Sequence, residues 1–198
     1  MGIRMQKMLH AEIWTVVQTN EGNAVLLRTL QKNIAVPIFI GQLEVQSMLI
    51  GMEDLRIPRP LTHDLLLNLL ESQNLVLHKV EIYGLKENVF YARLVIGGDR
   101  QNTMNLDCRP SDALCLAARR KCPVLISGEV ISLAGVPVDF FIEALQYGEE
   151  ADFSRGEKHP LEKKHRQRLL EQLADAVEKE EYEQAAKIRD VIKAMEGG

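Results

Sequence analysis

Asp107-Cys108-Arg109-Pro110-Ser111-Asp112-Ala113-Leu114 is the stretch where an alternating segment gives way to a helix. Just upstream, Asn102, Met104 and Leu106 fall on one side and Gln101, Thr103 and Asn105 on the other, the period of two that a strand imposes. Pro110 suits a first helical position, because the N–H it lacks would have no intrahelical partner there. Ser111 and Asp112 can accept hydrogen bonds from free first-turn N–H groups, and Asp112 suits the positive end of the helix dipole. Ala113, Leu114, Ala117 and Ala118 continue a small-residue apolar face to Arg119-Arg120-Lys121. Two readings stay open. In one, Asp112 is a cap and Asp107 pairs locally with Arg109. In the other, two carboxylates, a hydroxyl and a guanidinium gather for chemistry.

An earlier stretch, Arg59-Pro60-Leu61-Thr62-His63-Asp64, echoes the first: Arg-Pro, then a hydroxyl residue, then Asp at a helix start. If the two junctions converge, they present Arg59, His63, Asp64, Asp107, Arg109, Ser111 and Asp112. Phosphodiester cleavage uses such groups: Arg clamps phosphate, His or a carboxylate activates water, and carboxylates hold a divalent ion. Asp64, Asp107 and Asp112 are the candidate ligands for Mg or Mn, since hard cations prefer carboxylate oxygen. Glu44 reads either as a further ligand or, the favoured reading, as a solvated helix residue.

Outward from these junctions, Met8 to Thr19, Ala24 to Leu30 and Asn33 to Ile40 read as strands, with Pro37 pointing to an edge or a bulge. Gln42 to Gly51 reads as a helix with Leu43, Ser47 and Ile50 on one face. Thr62 is the expected N-cap of a helix through Leu65, Leu66, Leu69 and Leu70. Leu75 to Tyr83 and Asn88 to Ile96 form a hairpin around Gly84-Leu85-Lys86-Glu87. Pro123 to Ser127 reads as a strand and Glu129 to Leu133 as a helix. Beyond Val136 the pattern weakens, with Phe140, Phe141 and Leu145 left to pack on the core. The class is α+β: a mixed, largely antiparallel sheet with helices to one side.

Residues 1–145 thus form one domain and 146–160 a polar linker. Residues 161–198 read as a helical hairpin with apolar stripes through Leu169, Leu170, Leu173 and Val177, and through Tyr182, Ala185, Ile188 and Ile192. So small a hairpin needs a partner or self-association. Its start carries Lys163, Lys164, Arg166 and Arg168, a basic patch able to track nucleic-acid phosphates. The chain of 198 residues has a formal net charge of −4, so bulk electrostatics do not favour coating DNA. No membrane-spanning run or secretory leader is read, and the three cysteines form no C-x-x-C. They are expected to pack as small apolar residues, and the chain to work in the cytoplasm.

Val36-Pro37-Ile38-Phe39-Ile40-Gly41, Arg59-Pro60-Leu61-Thr62-His63-Asp64-Leu65 and Asp107 through Leu114 together resemble the bifunctional nuclease family, over roughly 8–135. Cys108 and Cys115 stand where members usually carry Ala. The resemblance implies an enzyme degrading DNA and RNA. Leu173, Ala176-Val177, Tyr182-Glu183, Ala185-Ala186 and Ile188-Arg189-Asp190 resemble the UVR motif, which implies a protein-docking hairpin and a homo-oligomer or other protein partner. The competing expectation is a non-catalytic adaptor binding nucleic acid or protein.

Overall fold

The computed structural model describes residues 7–19, 22–98 and 103–146, with Leu170, Leu173, Ala185, Ala186 and Arg189 further on. The chain divides into two compact units, Met1–Gly156 and Glu157–Gly198. The expected linker beyond Gln146, the basic residues Lys163, Lys164, Arg166 and Arg168, and nearly all of the hairpin lie outside the described residues.

The strands are β1 (Met8–Thr19), β2 (Gly22–Thr29), β3 (Ile34–Ile40), β4 (Val76–Lys86), β5 (Val89–Gly97), β6 (Thr103–Cys108), β7 (Val124–Ser127) and β8 (Val136–Pro137). The helices are α1 (Gln42–Met52), α2 (Thr62–Ser72), α3 (Pro110–Arg120), α4 (Gly128–Ala134) and α5 (Val138–Gln146). All eight strands form one sheet in the order β6-β5-β4-β7-β1-β2-β3-β8. Two meanders are stitched together by β7, which runs parallel to β4 and antiparallel to β1. The α+β class and the mixed, mostly antiparallel sheet therefore match the sequence reading. Pro37 lies beyond the short pairing of β8 with Ile34 and Ala35, so its missing N–H faces a sheet edge.

The helix α3 is the centre of the packing. Ala113, Leu114, Cys115, Leu116 and Ala117 are buried in one core with Val80, Ile82, Ala92, Leu94 and Ile96 of the sheet. Ala118 and Gly51 let α1 approach closely: a methyl on Gly51 would lie 3.1 Å from the Ala118 Cβ. Lys121 ends α3 in the left-handed conformation and donates its Nζ to the Gly51 carbonyl at 2.8 Å, closing the C-terminus of α1.

Local details differ from expectation for physical reasons. The buried face of α1 is Val45, Met48 and Gly51, not Leu43, Ser47 and Ile50; Leu43 is exposed. Thr62 does not cap α2. The helix starts one residue earlier, and Asp64 Oδ2 accepts from the Leu61 N–H at 2.8 Å. Leu65 and Leu69 are exposed, while Leu66, Leu67 and Leu70 touch the core. The β4–β5 turn is Glu87-Asn88, both left-handed, with β4 continuing through Lys86. Two left-handed residues match the twist of a two-residue hairpin. Where the pattern weakened, α5 forms and buries Phe140 and Phe141.

Candidate functional site

Three helices bring the polar residues together. On α1, Glu44 and Ser47 sit one turn apart. His63 and Asp64 occupy the first turn of α2. Along α3, Asp112, Cys115 and Arg119 recur at helical spacing and share a face. Arg119 is the clamp. Its side chain is 6% exposed. It donates to Asp64 Oδ1 at 2.8 Å, to the Ser47 carbonyl at 2.8 Å, to Ser47 Oγ at 3.1 Å and to the Cys115 carbonyl at 3.1 Å. One guanidinium thus ties all three helices together.

His63 lies against this clamp, with Nδ1 3.0 Å from Ser47 Oγ and Nε2 3.7 Å from Asp112 Oδ1. Ser47 Oγ already accepts from Arg119, so its own hydrogen is free for Nδ1. With that hydrogen donated to Nδ1, the proton of the neutral ring sits on Nε2 and faces Asp112, the tautomer that satisfies both neighbours. Burial, and next the Arg119 charge, hold the His63 pKa below its ordinary 6.5, against the opposite pull of Asp112. The ring is therefore neutral at neutral pH.

Arg109, just before α3, grips Asp112 with Nε and NH2 at 2.9 and 3.0 Å and reaches Glu44 through NH1 at 3.3 Å. Its side chain is 67% exposed. The bidentate pair raises its already high pKa. Neither the capping role of Ser111 and Asp112 nor the Asp107–Arg109 pair is present: α3 has no side-chain cap, and Asp112 binds the guanidinium instead. A Pro at the first turn removes one of the donors a cap would serve.

Of the residues expected to converge, His63, Asp64, Arg109 and Asp112 do. Ser111 is buried at the start of α3. Asp107 belongs to β6 and accepts from the Tyr83 hydroxyl at 3.0 Å. Arg59 is exposed on the loop between Pro58 and Pro60. Those prolines line an open cleft of about 500 Å³ together with Asp64, Leu67, Arg119 and Arg120. Glu44, Ser47 and Arg119 complete the network. Arg119 was missed in the sequence: it shares a helix face with Asp112, seven residues before it, but that spacing does not name Asp64 as its partner.

Among the described residues, no three His, Cys, Asp or Glu side chains group closely enough to hold a metal ion. Asp64 answers to Arg119 and the Leu61 N–H, Asp112 to Arg109, and Asp107 to Tyr83, so this donor set does not fit a shared cation. Cys108, Cys115 and Cys122 are free. Burial is the main cause that pushes Cys108 and Cys122 up to about 11, and it raises Cys115 as well. They behave as packing residues, as expected.

Fold and site together define an α+β domain that assembles arginine, histidine and carboxylate at the N-terminal ends of two helices. Residues 25–139, more than half of the chain, match the bifunctional nuclease domain, and the chain belongs to that family. Residues 163–197 match the UvrB/uvrC motif. An uncharacterized protein of Mycobacterium tuberculosis is 34% identical over 121 residues, covering 61% of this chain and 71% of its own. A bifunctional nuclease of Oryza minuta is 24% identical over 168 residues, 81% of this chain and 50% of its own. Bifunctional nuclease 2 of Arabidopsis thaliana is 22% identical over 170 residues, 80% of this chain and 51% of its own. Among the described residues, no helix is long and apolar enough to cross a membrane.

Proposed function

We propose that this protein is a nuclease that hydrolyses phosphodiester bonds of DNA and RNA, preferring single strands. The observation that carries the reading is the neutral His63 held beside an exposed Arg109–Asp112 pair in a member of the bifunctional nuclease family. A substrate phosphate can take the same two-pronged guanidinium contact that Arg109 now makes with Asp112. On binding, Arg109 turns to the non-bridging oxygens and releases Asp112. The freed carboxylate takes a proton from the attacking water as the new P–O bond forms. The His63 Nε2–H donates a hydrogen bond to the oxygen on which charge develops. The P–O bond to the leaving group breaks, and the proton held by Asp112 passes to that oxygen. Arg119, Ser47 and Glu44 position these groups. No step is routed through a divalent ion, because Asp64, Asp107 and Asp112 have separate partners. The residues expected at the site are assigned unequally: Arg109, His63 and Asp112 meet substrate, Asp64 positions Arg119, and Arg59 flanks the cleft.

A His63→Ala variant tests the reading. Loss of one preorganised donor is expected to lower turnover by roughly 10²-fold. Unchanged hydrolysis at unchanged thermal stability would move the activity elsewhere.

The C-terminal segment 161–198 is assigned a docking role, pairing with a second copy or another helical hairpin. Lys163, Lys164, Arg166 and Arg168 would add contacts to nucleic-acid phosphates. Three free thiols fit a reducing compartment such as the cytoplasm. The second reading, a non-catalytic adaptor, draws on the saturation of Arg119 and Asp64 by one another, which is what a purely structural clamp would also show.

A further inference from the structure

The sheet has a second polar constellation, on the face away from α3. Alternation puts Ala92, Leu94 and Ile96 of β5 into the core and turns Tyr91 and Arg93 to the other side. The register sets Arg93 between Glu81 of β4 and Asp107 of β6. The strand β4 has an irregularity between Ile82 and Gly84. A bulge of this kind re-aims a side chain. Here it coincides with Tyr83 standing beside Tyr91, ring centroids 6.2 Å apart. Arg93 lies over the Tyr83 ring at 5.1 Å, and the Tyr83 hydroxyl is held by Asp107. Glu81, 5% exposed, anchors Arg93 and Lys79 from below.

Tyr91 is the exposed member, at 37%. Its register partner is Gly84, which has no side chain to cover the ring. A fixed pair of aromatic rings, one of them open to solvent on part of its surface, is what an unpaired base stacks on. The charges argue for a base and against a phosphate. Arg93 and Lys79 are offset by Glu81 and Asp107 together, so the face offers a phosphate no net positive charge. A carboxylate at the edge of a stacking surface suits a base that offers an amino group, as cytosine does.

We propose that Tyr83, Tyr91, Arg93 and Asp107 form a stacking platform for the bases of single-stranded nucleic acid. The platform adjoins the site through the chain itself: Asp107 ends it and Arg109, two residues on, opens α3. A strand stacked on Tyr91 has to pass round the end of β6 at Cys108 to reach Arg109 on the other face of the sheet. This deepens the nuclease reading by naming how a single strand is held, and rests on that reading only for the direction of the strand.

The test uses the full chain and fluorophore-labelled, phosphorothioate-linked cytosine oligonucleotides, with an abasic oligonucleotide of equal length as the comparison. Anisotropy reports binding without cleavage, so a protein that hydrolyses nothing still passes or fails. Tyr91→Ala is expected to weaken binding of the cytosine strand by about 5- to 100-fold, the usual worth of one stacked base. It should leave the abasic strand nearly unaffected, and Tyr91→Phe should bind like the wild type. Tyr91→Leu, which keeps an apolar strand residue, guards against a folding defect and should behave like Tyr91→Ala. The proposal is overturned by no binding, by equal loss on both strands, or by Tyr91→Ala binding normally. Concentration-dependent self-association that disappears in Tyr91→Ala would also overturn it, by making this face a protein interface.

Discussion

Replacing Arg119 by Met should unfasten the three-helix junction without leaving a hole. Met fills much of the same space and is a good helix former, so the loss is electrostatic. Asp64, 28% exposed, would lose its charged partner, and the Ser47 and Cys115 carbonyls would lose donors. Breaking a buried pair costs ~3–5 kcal/mol; partial access of Asp64 to water lowers the expectation to about 3 kcal/mol. For a domain of this size each kcal/mol moves the Tm by roughly 2–4 °C, giving a fall on the order of 6–12 °C. Circular dichroism melts of Arg119→Met, Asp64→Asn and the double variant measure it. The double variant should melt above the sum of the single losses, with coupling of about 1–3 kcal/mol. His63 should also titrate at higher pH in Arg119→Met, since the Arg119 charge is one cause of its lowered pKa. Additive losses with a Tm change under ~2 °C would refute the clamp.

Further outcomes follow from the same geometry. The folded-state pKa of His63 lies below 6.5, so below that pH the unfolded chain takes up a proton the folded chain resists. Stability should fall as pH drops through 6.5, by at most about 1.4 kcal/mol per pH unit from this group, and His63→Gln should flatten that slope in urea melts. Glu87→Asn should raise stability by ~0.5–1 kcal/mol in the same melts, because Asn accepts the left-handed conformation that Glu87 holds at a cost. Sedimentation of the full chain should show concentration-dependent association that a chain ending at Gly156 lacks, since an isolated helical hairpin leaves apolar stripes uncovered.

What could be read from the chain was what is decided locally. Pro110 and the small residues behind it announced α3, and the alternation of β5 separated its core face from Tyr91 and Arg93. The edge position of Pro37 followed from its missing N–H. The α1 face was misread because large residues do not dictate burial there. Gly51 and Ala118 set a close helix approach, and Leu43 is left outside. The Glu87-Asn88 turn was missed because Glu is a poor turn former, held left-handed by strand pairing on either side. At the site, Arg109, His63, Asp64 and Asp112 were legible as helix-start residues. The partner of Asp64 lies 55 residues away on another helix, and no local spacing reveals such a pairing.

The central claim is that the Arg109–Asp112–His63 junction cleaves phosphodiesters. It is tested most directly by hydrolysis of single-stranded DNA and RNA by the wild type, Arg109→Ala and Asp112→Asn. The proteins are matched for thermal stability and assayed with and without chelator. Both variants are expected to lose at least ~10-fold in turnover on both polymers, the worth of one charged hydrogen bond in the transition state. Equal hydrolysis by all three proteins would contradict the claim and leave the junction a structural clamp.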